Sequence, residues 1–290
     1  MLGVLMPGPK PKSRKSPAKK SAQAVKTNPQ KPARGAKGHV AKNVPQKAAK
    51  NVAQKQGAKE RGAKENDPLA PERVQDILNR LDQRYHAATC ALTHNSAWEL
   101  LVATILSAQC TDVRVNMVTP GLFQKYPTPQ AFAALSPEQL EPDIRSTGFY
   151  RNKAKSLVGA AKGVVERFGG QVPDTMEELL TLPGAARKTA NVVLGSWFRK
   201  AVGVVVDTHV HRISRRLELT RSEDPKSIEQ DLMKVIPQDK WIDYSHQIIH
   251  HGRALCIARK PKCAECPLEN ICHAGDKTWS TVEIHQSAKL

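Results

Sequence analysis

The sequence predicts an all-α fold, and three observations lead to this prediction. Apolar residues recur at helical spacing in successive segments from about residue 67 onward. Helix-capping residues, several of them followed by proline at the first helical position, separate those segments. The sequence has neither the alternating pattern of β-hairpins nor an internal repeat. We therefore expect about ten helices joined by short connections.

The first expected helix covers about residues 70–88, where Pro71 suits the first turn. Ser96 and Glu99 then predict a capping box that opens a helix ending near Gln109. Because this helix is apolar on nearly every side, it should be central and buried. The next elements are a helix at about 112–126, short helices after Thr128 and Ser136, a turn at 145–150 that exposes aromatic residues, and a helix at 151–168 that stops at Gly169-Gly170.

The remaining elements begin with a short helix through Leu180, a tight turn and a second helix from about Ala186. The run Val204-Val205-Val206 has strand-like branching, but three residues between helical segments favour a buried extended connection. Three more helices are expected, from Asp207 to Leu217, after Asp224, and from Trp241 to Leu255.

The positive charge is concentrated near the N-terminus. The formal net charge is +18, and residues 1–66 carry 17 basic and two acidic residues but no Phe, Trp or Tyr. Such a segment buries too little apolar surface to offset its ordering entropy, so we expect residues 1–66 to form a disordered basic tail. Its expected partner is nucleic acid, attracted through counterion release, and a purely solubilising extension is the alternative.

The sequence also limits the cellular location. It lacks the apolar segment of a secretory signal and any run of about 18 apolar residues that would cross a membrane. We expect an intracellular, DNA-associated monomer without a membrane partner, in the cytoplasm or nucleoid if the source is bacterial. An organelle transit peptide or a nuclear signal is also compatible with the composition.

Four of the six cysteines fall within 17 residues and predict a metal site rather than disulfides in a reducing compartment. They are Cys256, Cys263, Cys266 and Cys272, spaced C-x6-C-x2-C-x5-C. Zinc and an iron–sulfur cluster both accept four thiolates, and the single short arm favours a cluster. We expect Cys90 and Cys110, which lie outside this pattern, to be small buried side chains.

The segment Leu182-Pro183-Gly184-Ala185-Ala186 predicts a tight turn between two helices. Gly184 permits backbone angles that are closed to other residues. The second helix presents unpaired N–H groups at the positive end of its dipole, where a DNA phosphate can bind without sequence readout. For these residues alone, an ordinary interhelical turn is the alternative.

Two ionisable residues near this turn suit chemistry at a deoxyribose. The amine of Lys188, in the first turns of the second helix, can attack the anomeric carbon and form a Schiff base. Asp207 can cap the following helix and also stabilise positive charge on a sugar. A solvated lysine and a purely structural cap are the alternatives. We interpret His209 and His211 as structural or phosphate-facing.

Together, these motifs resemble those of the endonuclease III family of DNA glycosylases. LPGAARKTANVVL and VVVDTHVHR are similar to its helix-hairpin-helix and Gly/Pro–Asp signature. The cysteine spacing is similar to its 4Fe–4S loop, and ILSAQCTDVRVN resembles its early core helix and DNA-facing turn. The resemblance spans about residues 68–275 and excludes the basic tail.

The resemblance implies a bifunctional DNA glycosylase and AP lyase that removes oxidised pyrimidines in base excision repair and then cleaves the strand by β-elimination. Lys188 would be the Schiff-base nucleophile and Asp207 its essential carboxylate, while the four clustered cysteines would hold one 4Fe–4S cluster. The implied partner is double-stranded DNA containing damaged bases or abasic sites. Gln109 would fill the gap left by the flipped base, and Phe149 would enter as an apolar wedge. The implied DNA-binding residues are Gln109, Asp112, Gly148, Phe149, Leu182, Pro183, Gly184, Ala186, Arg187 and His209.

The family also implies a two-domain helix-hairpin-helix glycosylase fold. Residues 67–89 and 201–275 would form the iron–sulfur cluster domain, residues 90–200 the six-helix domain, and residues 276–290 a C-terminal tail. Two positions depart from the family pattern: Ala186 replaces the usual second glycine of the hairpin, and His211 replaces a frequent aromatic residue. Both departures concern DNA affinity rather than the chemistry.

Three other functions differ from this one in the residues that they require. A pyrimidine-dimer glycosylase of the same superfamily would keep both Lys188 and Asp207. A noncatalytic DNA-binding protein with a structural metal is disfavoured by the presence of these two residues. An adenine-mismatch glycosylase would lack the lysine and need a further C-terminal domain, whereas this chain ends about 18 residues after Cys272.

Overall fold

The computed structural model of this chain describes residues 67–278, which contain eleven α-helices and no β-strand. The predicted all-α class is therefore confirmed. The predictions for residues 1–66 and 279–290 concern segments outside this range. The helices are α1 (Pro71–Tyr85), α2 (Ala97–Leu106), α3 (Asp112–Lys125), α4 (Pro129–Ala133), α5 (Pro137–Ile144), α6 (Tyr150–Phe168), α7 (Met176–Leu179), α8 (Arg187–Ser196), α9 (Thr208–Arg216), α10 (Pro225–Val235) and α11 (Trp241–Ala254). Within the described range, none of these helices is both long and apolar enough to cross a lipid bilayer.

Side-chain caps determine where several helices begin. The Ser136 hydroxyl and the Gln139 side chain form a full capping box at the start of α5. At α2, the Ser96 Oγ accepts a hydrogen bond from the Glu99 N–H at 3.1 Å, as predicted. A complete capping box would also have the Glu99 carboxylate accept from the Ser96 N–H. It accepts instead from the N–H of the preceding residue, Asn95, at 2.6 Å.

The end of α2 differs from the expectation. The helix stops at Leu106, and Gln109 has a φ of 53°, which a right-handed helix does not contain. Eight of the ten residues of α2 are buried, so its predicted central position is confirmed. The early stop turns Gln109 out of the helix and onto an exposed loop.

Buried side chains form two hydrophobic clusters in the described part of the chain. The first, here called the central core, is built around α2, α6 and α8 and includes Leu101, Phe132, Leu157 and Val193. The second, here called the C-terminal core, combines α1 with α9, α10 and α11 and includes Leu81, Ile213, Leu232 and Tyr244. Both cores hold side chains that are almost fully removed from water.

The chain crosses between the two cores at the valine run. Val205 packs into the central core and Val204 into the C-terminal core. Neither residue belongs to a helix or strand, and both are buried. This segment is the predicted buried extended connection, and it leads directly to Asp207.

A buried carboxylate joins α8 to α10. The Glu229 side chain is 5% exposed and accepts hydrogen bonds from Arg187 Nε at 2.6 Å and Arg187 Nη2 at 3.0 Å. Its Oε1 also accepts from Asn191 Nδ2 at 2.8 Å. Gly203 lies against this network, because a Cβ there would approach Glu229 Oε1 to 2.1 Å. The network therefore holds the first turns of α8 against the segment that leads to Asp207.

We predict that Phe132→Ala lowers the free energy of unfolding by about 3–5 kcal/mol, because it leaves a cavity in the central core. Phe132 is fully buried and makes edge contacts with Trp98 and Tyr126, with ring centroids 5.3 Å and 5.6 Å apart. The matched control is Phe149→Ala, since Phe149 is 64% exposed and its loss should change stability by less than about 0.5 kcal/mol. Chemical denaturation followed by circular dichroism measures both, and equal effects would contradict this account of the core.

We also predict that Glu229→Ala lowers the free energy of unfolding by about 1–3 kcal/mol, because it leaves the buried Asn191 amide without its acceptor. Glu223→Ala is the control, because Glu223 is 71% exposed and pairs with Arg215 on the surface. Its loss should cost less than about 1 kcal/mol. If thermal unfolding gives the same loss for both variants, the network does not hold α8 in place.

Candidate active site and metal centre

A cleft of about 550 Å³ opens between parts of α2, α3, α8, α9 and α11. It gathers residues that are far apart in the sequence, five of which were predicted as site residues. Those five are Gln109, Asp112, Lys188, Asp207 and His209. The tertiary structure thus brings the predicted amine, carboxylate and gap-filling residue onto the walls of one space.

Asp207 is the N-cap of α9, as predicted. Its Oδ1 accepts hydrogen bonds from the N–H groups of His209 and Val210, both at 2.8 Å. Both bonds use the same oxygen, so within residues 67–278 Oδ2 has no hydrogen-bond donor. Capping therefore occupies half of the carboxylate and leaves the other half for a cationic group in the cleft.

Lys188 is the second residue of α8, and its exposed side chain also lines the cleft. Its ammonium has neither a hydrogen-bond acceptor nor an ion-pair partner in the described part of the chain. A lysine without a partner on the wall of a cleft is available to react with a bound electrophile.

The turn before α8 is built for close approach to α6. Gly184 has a φ of +81°, and a Cβ there would lie 2.8 Å from the Ser156 Cβ. Pro183 packs against Gly159, where a Cβ would meet the proline ring at 3.0 Å. Glycine is thus required at 184 both for its backbone angle and for the contact with α6.

Ala186 fits its position without strain. Its φ of −77° and ψ of 169° are extended angles open to any residue, so the absence of a second glycine costs nothing in backbone conformation. No side chain caps α8. Its first N–H groups are therefore free to bind an anion, and the helix dipole adds to that attraction.

Other predicted DNA-binding side chains have partners within the protein. The Arg187 guanidinium is bound to Glu229, and the Leu182 side chain is buried beneath the turn. Asp112 forms an ion pair with Arg253, which also lines the cleft. The His209 ring lies 3.2 Å from Arg212 Nη2, and burial lowers the pKa of His209. Arg187 can therefore contact DNA only through the exposed edge of its guanidinium, and Leu182 only through its main chain.

Phe149 lies outside the cleft, on the turn that precedes α6. It is 64% exposed and has a φ of 48°, and Gly148 before it has a φ of 70°. Gln109 has the same left-handed conformation. Five non-glycine residues among residues 67–278 have a positive φ, a sparsely populated region that often marks functional loops. Of these five, Gln109 and Phe149 are the two that were predicted to contact DNA.

The four clustered cysteines line a second pocket, beside the C-terminal end of α11. Burial and the charges of the neighbouring thiolates raise the pKa of Cys266 to about 12. Arg216 Nη1 lies 3.2 Å from Cys256 Sγ, and His251 Nε2 lies 3.6 Å from Cys266 Sγ. Such a set of partly buried thiols needs a strongly cationic centre to hold all four as thiolates.

This donor set fits an iron–sulfur cluster, which is held by four cysteine thiolates. No three His, Cys, Asp or Glu side chains among residues 67–278 are arranged around a single metal ion. The fit therefore depends on the shared pocket and on the chemistry of the four thiols.

Several residues of the cleft were missed by the sequence analysis. Cys90 and Cys110 were expected to be small buried side chains, but both are partly exposed and line the cleft. His246 and His250 of α11 also line it. Of these four residues, only Cys110 could have been predicted from the sequence to line the cleft, because it adjoins Gln109. Cys90, His246 and His250 reach the cleft through the packing of distant segments.

The chain matches the family model described as HhH-GPD superfamily base excision DNA repair protein over residues 102–238. It also matches the iron–sulfur binding domain of endonuclease III over residues 256–272, which run from the first to the last of the clustered cysteines. The first match contains Lys188 and Asp207, and the second contains the four cysteines that line the second pocket.

Curated relatives cover most of the described region. The endonuclease III of Synechocystis sp. is 57% identical over 201 residues, which are 69% of this chain and 92% of that protein. The endonuclease III of Bacillus subtilis is 44% identical over 205 residues, 70% of this chain and 93% of the relative. A solved structure of a trapped covalent endonuclease III–DNA intermediate is similar with a TM-score of 0.67 and 42% identity, and the match covers 70% of this chain and 95% of that one. On its sequence identity, its helical architecture and its paired cleft and cysteine pocket, this chain belongs to the endonuclease III family.

Proposed function

We propose that this chain is a bifunctional DNA glycosylase and AP lyase that removes oxidised pyrimidines from double-stranded DNA in base excision repair. One observation carries the proposal: an unpartnered amine, Lys188, and a half-occupied carboxylate, Asp207, line the same cleft. The relatives named endonuclease III support the assignment, and one of them has been trapped as a covalent complex with DNA. A covalent intermediate is the expected product of an amine nucleophile.

In the proposed reaction, the neutral amine of Lys188 attacks C1′ of the damaged nucleotide. The new N–C1′ bond forms as the glycosidic bond breaks, and the base leaves with the bonding electrons and gains a proton. The Asp207 carboxylate stabilises the positive charge that develops on the sugar. Opening of the sugar ring gives a Schiff base, loss of a C2′ proton expels the 3′ phosphate by β-elimination, and water then releases the lysine.

The surrounding residues position the DNA in this proposal. The uncapped first turn of α8 and the Pro183-Gly184 turn bind a backbone phosphate. Gln109, exposed on the cleft lining, and Phe149, exposed on the turn before α6, fill the opened base stack. The main-chain N–H groups provide the phosphate contact, and the exposed edge of the Arg187 guanidinium can add to it.

We assign the four cysteines as ligands of the one 4Fe–4S cluster that this family carries. When bound, the cluster would supply a cross-link between four points of the segment 256–272, which follows α11. The loop after Cys256 carries Arg259, Lys260 and Lys262, which are exposed and suited to phosphate contact. We further propose that residues 67–89 and 201–275 act as the cluster domain, residues 90–200 as the six-helix domain and residues 1–66 as a DNA-attracting tail, in an intracellular, DNA-associated monomer.

Borohydride trapping tests the nucleophile. We predict that the wild-type protein mixed with a duplex containing thymine glycol and then reduced gives a covalent adduct on a denaturing gel. Lys188→Ala should give none, because the reducible Schiff base needs the primary amine. Lys162→Ala is the matched control, since Lys162 is an exposed lysine of α6. Its adduct yield should equal that of the wild type.

Three results would change the assignment. Robust trapping by Lys188→Ala would place the nucleophile at another residue. Trapping that occurs only with a duplex containing a pyrimidine dimer would replace the oxidised pyrimidine as the lesion. Absence of any adduct with the wild-type protein would favour a noncatalytic DNA-binding protein.

The cluster ligands have a separate test. We predict that Cys272→Ser lowers the iron and sulfide content of the purified protein and its brown visible absorption, because a serine oxygen is a poor ligand for iron–sulfur clusters. Cys90→Ser, which lies outside the cysteine pocket, should keep the full content. Equal iron content in all three proteins, or zinc in place of iron, would refute the assignment.

A further inference from the structure

Lys153 is a buried lysine whose hydrogen bonds go to main-chain oxygens rather than to a carboxylate. It lies in α6 and is 5% exposed. Its Nζ donates to the carbonyl oxygens of Leu106 and Thr147, each at 2.8 Å. Burial lowers the pKa of Lys153, because an ammonium removed from water is destabilised. An apolar side chain at this position would avoid the cost of burying an ammonium. The presence of lysine therefore indicates a role for its two hydrogen bonds.

The two carbonyl groups belong to different loops. Leu106 is the last residue of α2, where a helical carbonyl has no intrahelical partner. Thr147 ends the short 3-10 turn that precedes Gly148. One ammonium therefore connects the end of α2 with the turn before α6, 41 residues later in the chain.

Each loop carries one of the left-handed residues. Gln109 follows Leu106 by three positions and has a φ of 53°, and Phe149 follows Thr147 by two positions and has a φ of 48°. Such angles persist in non-glycine residues only when the surrounding structure determines them. The main-chain N–H of Lys153 also donates to the Phe149 oxygen at 3.1 Å. Lys153 thus binds the backbone on both sides of Gly148 and holds the other loop as well.

We propose that Lys153 is a positioning residue that holds the Gln109 and Phe149 loops at a fixed separation, so that both side chains enter the duplex together when a damaged base is extruded. This inference rests on the proposed function, which assigns both side chains to the opened base stack. Loops that are already fixed lose less conformational entropy on insertion than loops that must be ordered one by one.

Three variants separate this effect from general damage. Lys153→Met keeps a long unbranched side chain but removes every side-chain N–H donor, so the Leu106 and Thr147 carbonyls lose their partner. Lys153→Gln keeps an amide with two N–H donors and should retain part of the contact. Lys162→Met removes the same charge from the exposed side of α6 and is the matched control.

Two measurements are made with each variant. The first uses a duplex with thymine glycol beside 2-aminopurine, whose fluorescence rises when the base stack opens, together with the rate of excision from that duplex. The second is borohydride trapping on single-stranded DNA that contains an abasic site, which has no stack to open. We expect Lys153→Met to slow stack opening and duplex excision about 10- to 100-fold through the two unpaired carbonyls. Lys153→Gln should be intermediate, Lys162→Met unchanged, and single-strand trapping unchanged in all three.

Equal losses on duplex and single-stranded substrates would mean general damage to the fold and would overturn the proposal. Unimpaired stack opening by Lys153→Met would overturn it as well. If Lys153→Met does not fold, the same comparison is made with Lys153→Gln. Single-strand trapping by the wild-type protein checks the proposed function separately: its absence would refute Lys188 as the nucleophile, whatever Lys153 does.

Discussion

The crossing of the chain between its two cores, at Val204–Asp207, is the constraint on which the cleft depends. Val204 and Val205 are buried on opposite sides of the crossing, and each buried valine contributes roughly 1.5–3 kcal/mol. The cap that follows, in which Asp207 Oδ1 accepts two main-chain hydrogen bonds, contributes about 1 kcal/mol. Packing of the two valines therefore determines where the carboxylate lies, and the cap determines only how it is oriented.

Buried polar groups hold the other parts of the site. Glu229 ties the start of α8 to α10, and Lys153 ties the end of α2 to the turn before α6. Both are costly to bury and both are satisfied by several hydrogen bonds, which makes each contact sensitive to the loss of either partner. Exposed ion pairs such as Arg215–Glu223 contribute much less, since water and salt screen them. Within residues 67–278 Lys188 has no such partner, which suits the nucleophilic role proposed for it.

The cysteine segment depends on its cofactor more than on its own secondary structure. Between residues 256 and 272, the described chain contains only two short 3-10 turns. Its four thiols are partly buried, and burial raises the pKa of Cys256, Cys266 and Cys272. Arg216 Nη1 donates to Cys256 Sγ, and His251 Nε2 lies 3.6 Å from Cys266 Sγ. A cluster that binds four thiolates would stabilise this segment by cross-linking it, because metal-binding free energy is also folding free energy.

The sequence by itself determined the helical class, most helix starts and the residue types of the site. Caps at Thr128, Ser136 and Asp224 were readable because their hydrogen bonds reach only three residues along the chain. The apolar surface of α2 likewise predicted its buried position. These features depend on neighbours in the sequence, so they need no knowledge of the fold.

The tertiary structure alone decided how those pieces meet. Glu229 reaches Arg187 from 42 residues away, and Lys153 reaches Leu106 from 47 residues away. The helix α2 ends before Gln109, although the local sequence is compatible with helix. Gln109 and Cys110 both line the cleft. A hydrogen bond between distant residues exists only once packing has placed its donor and acceptor together, so no local pattern in the sequence records it.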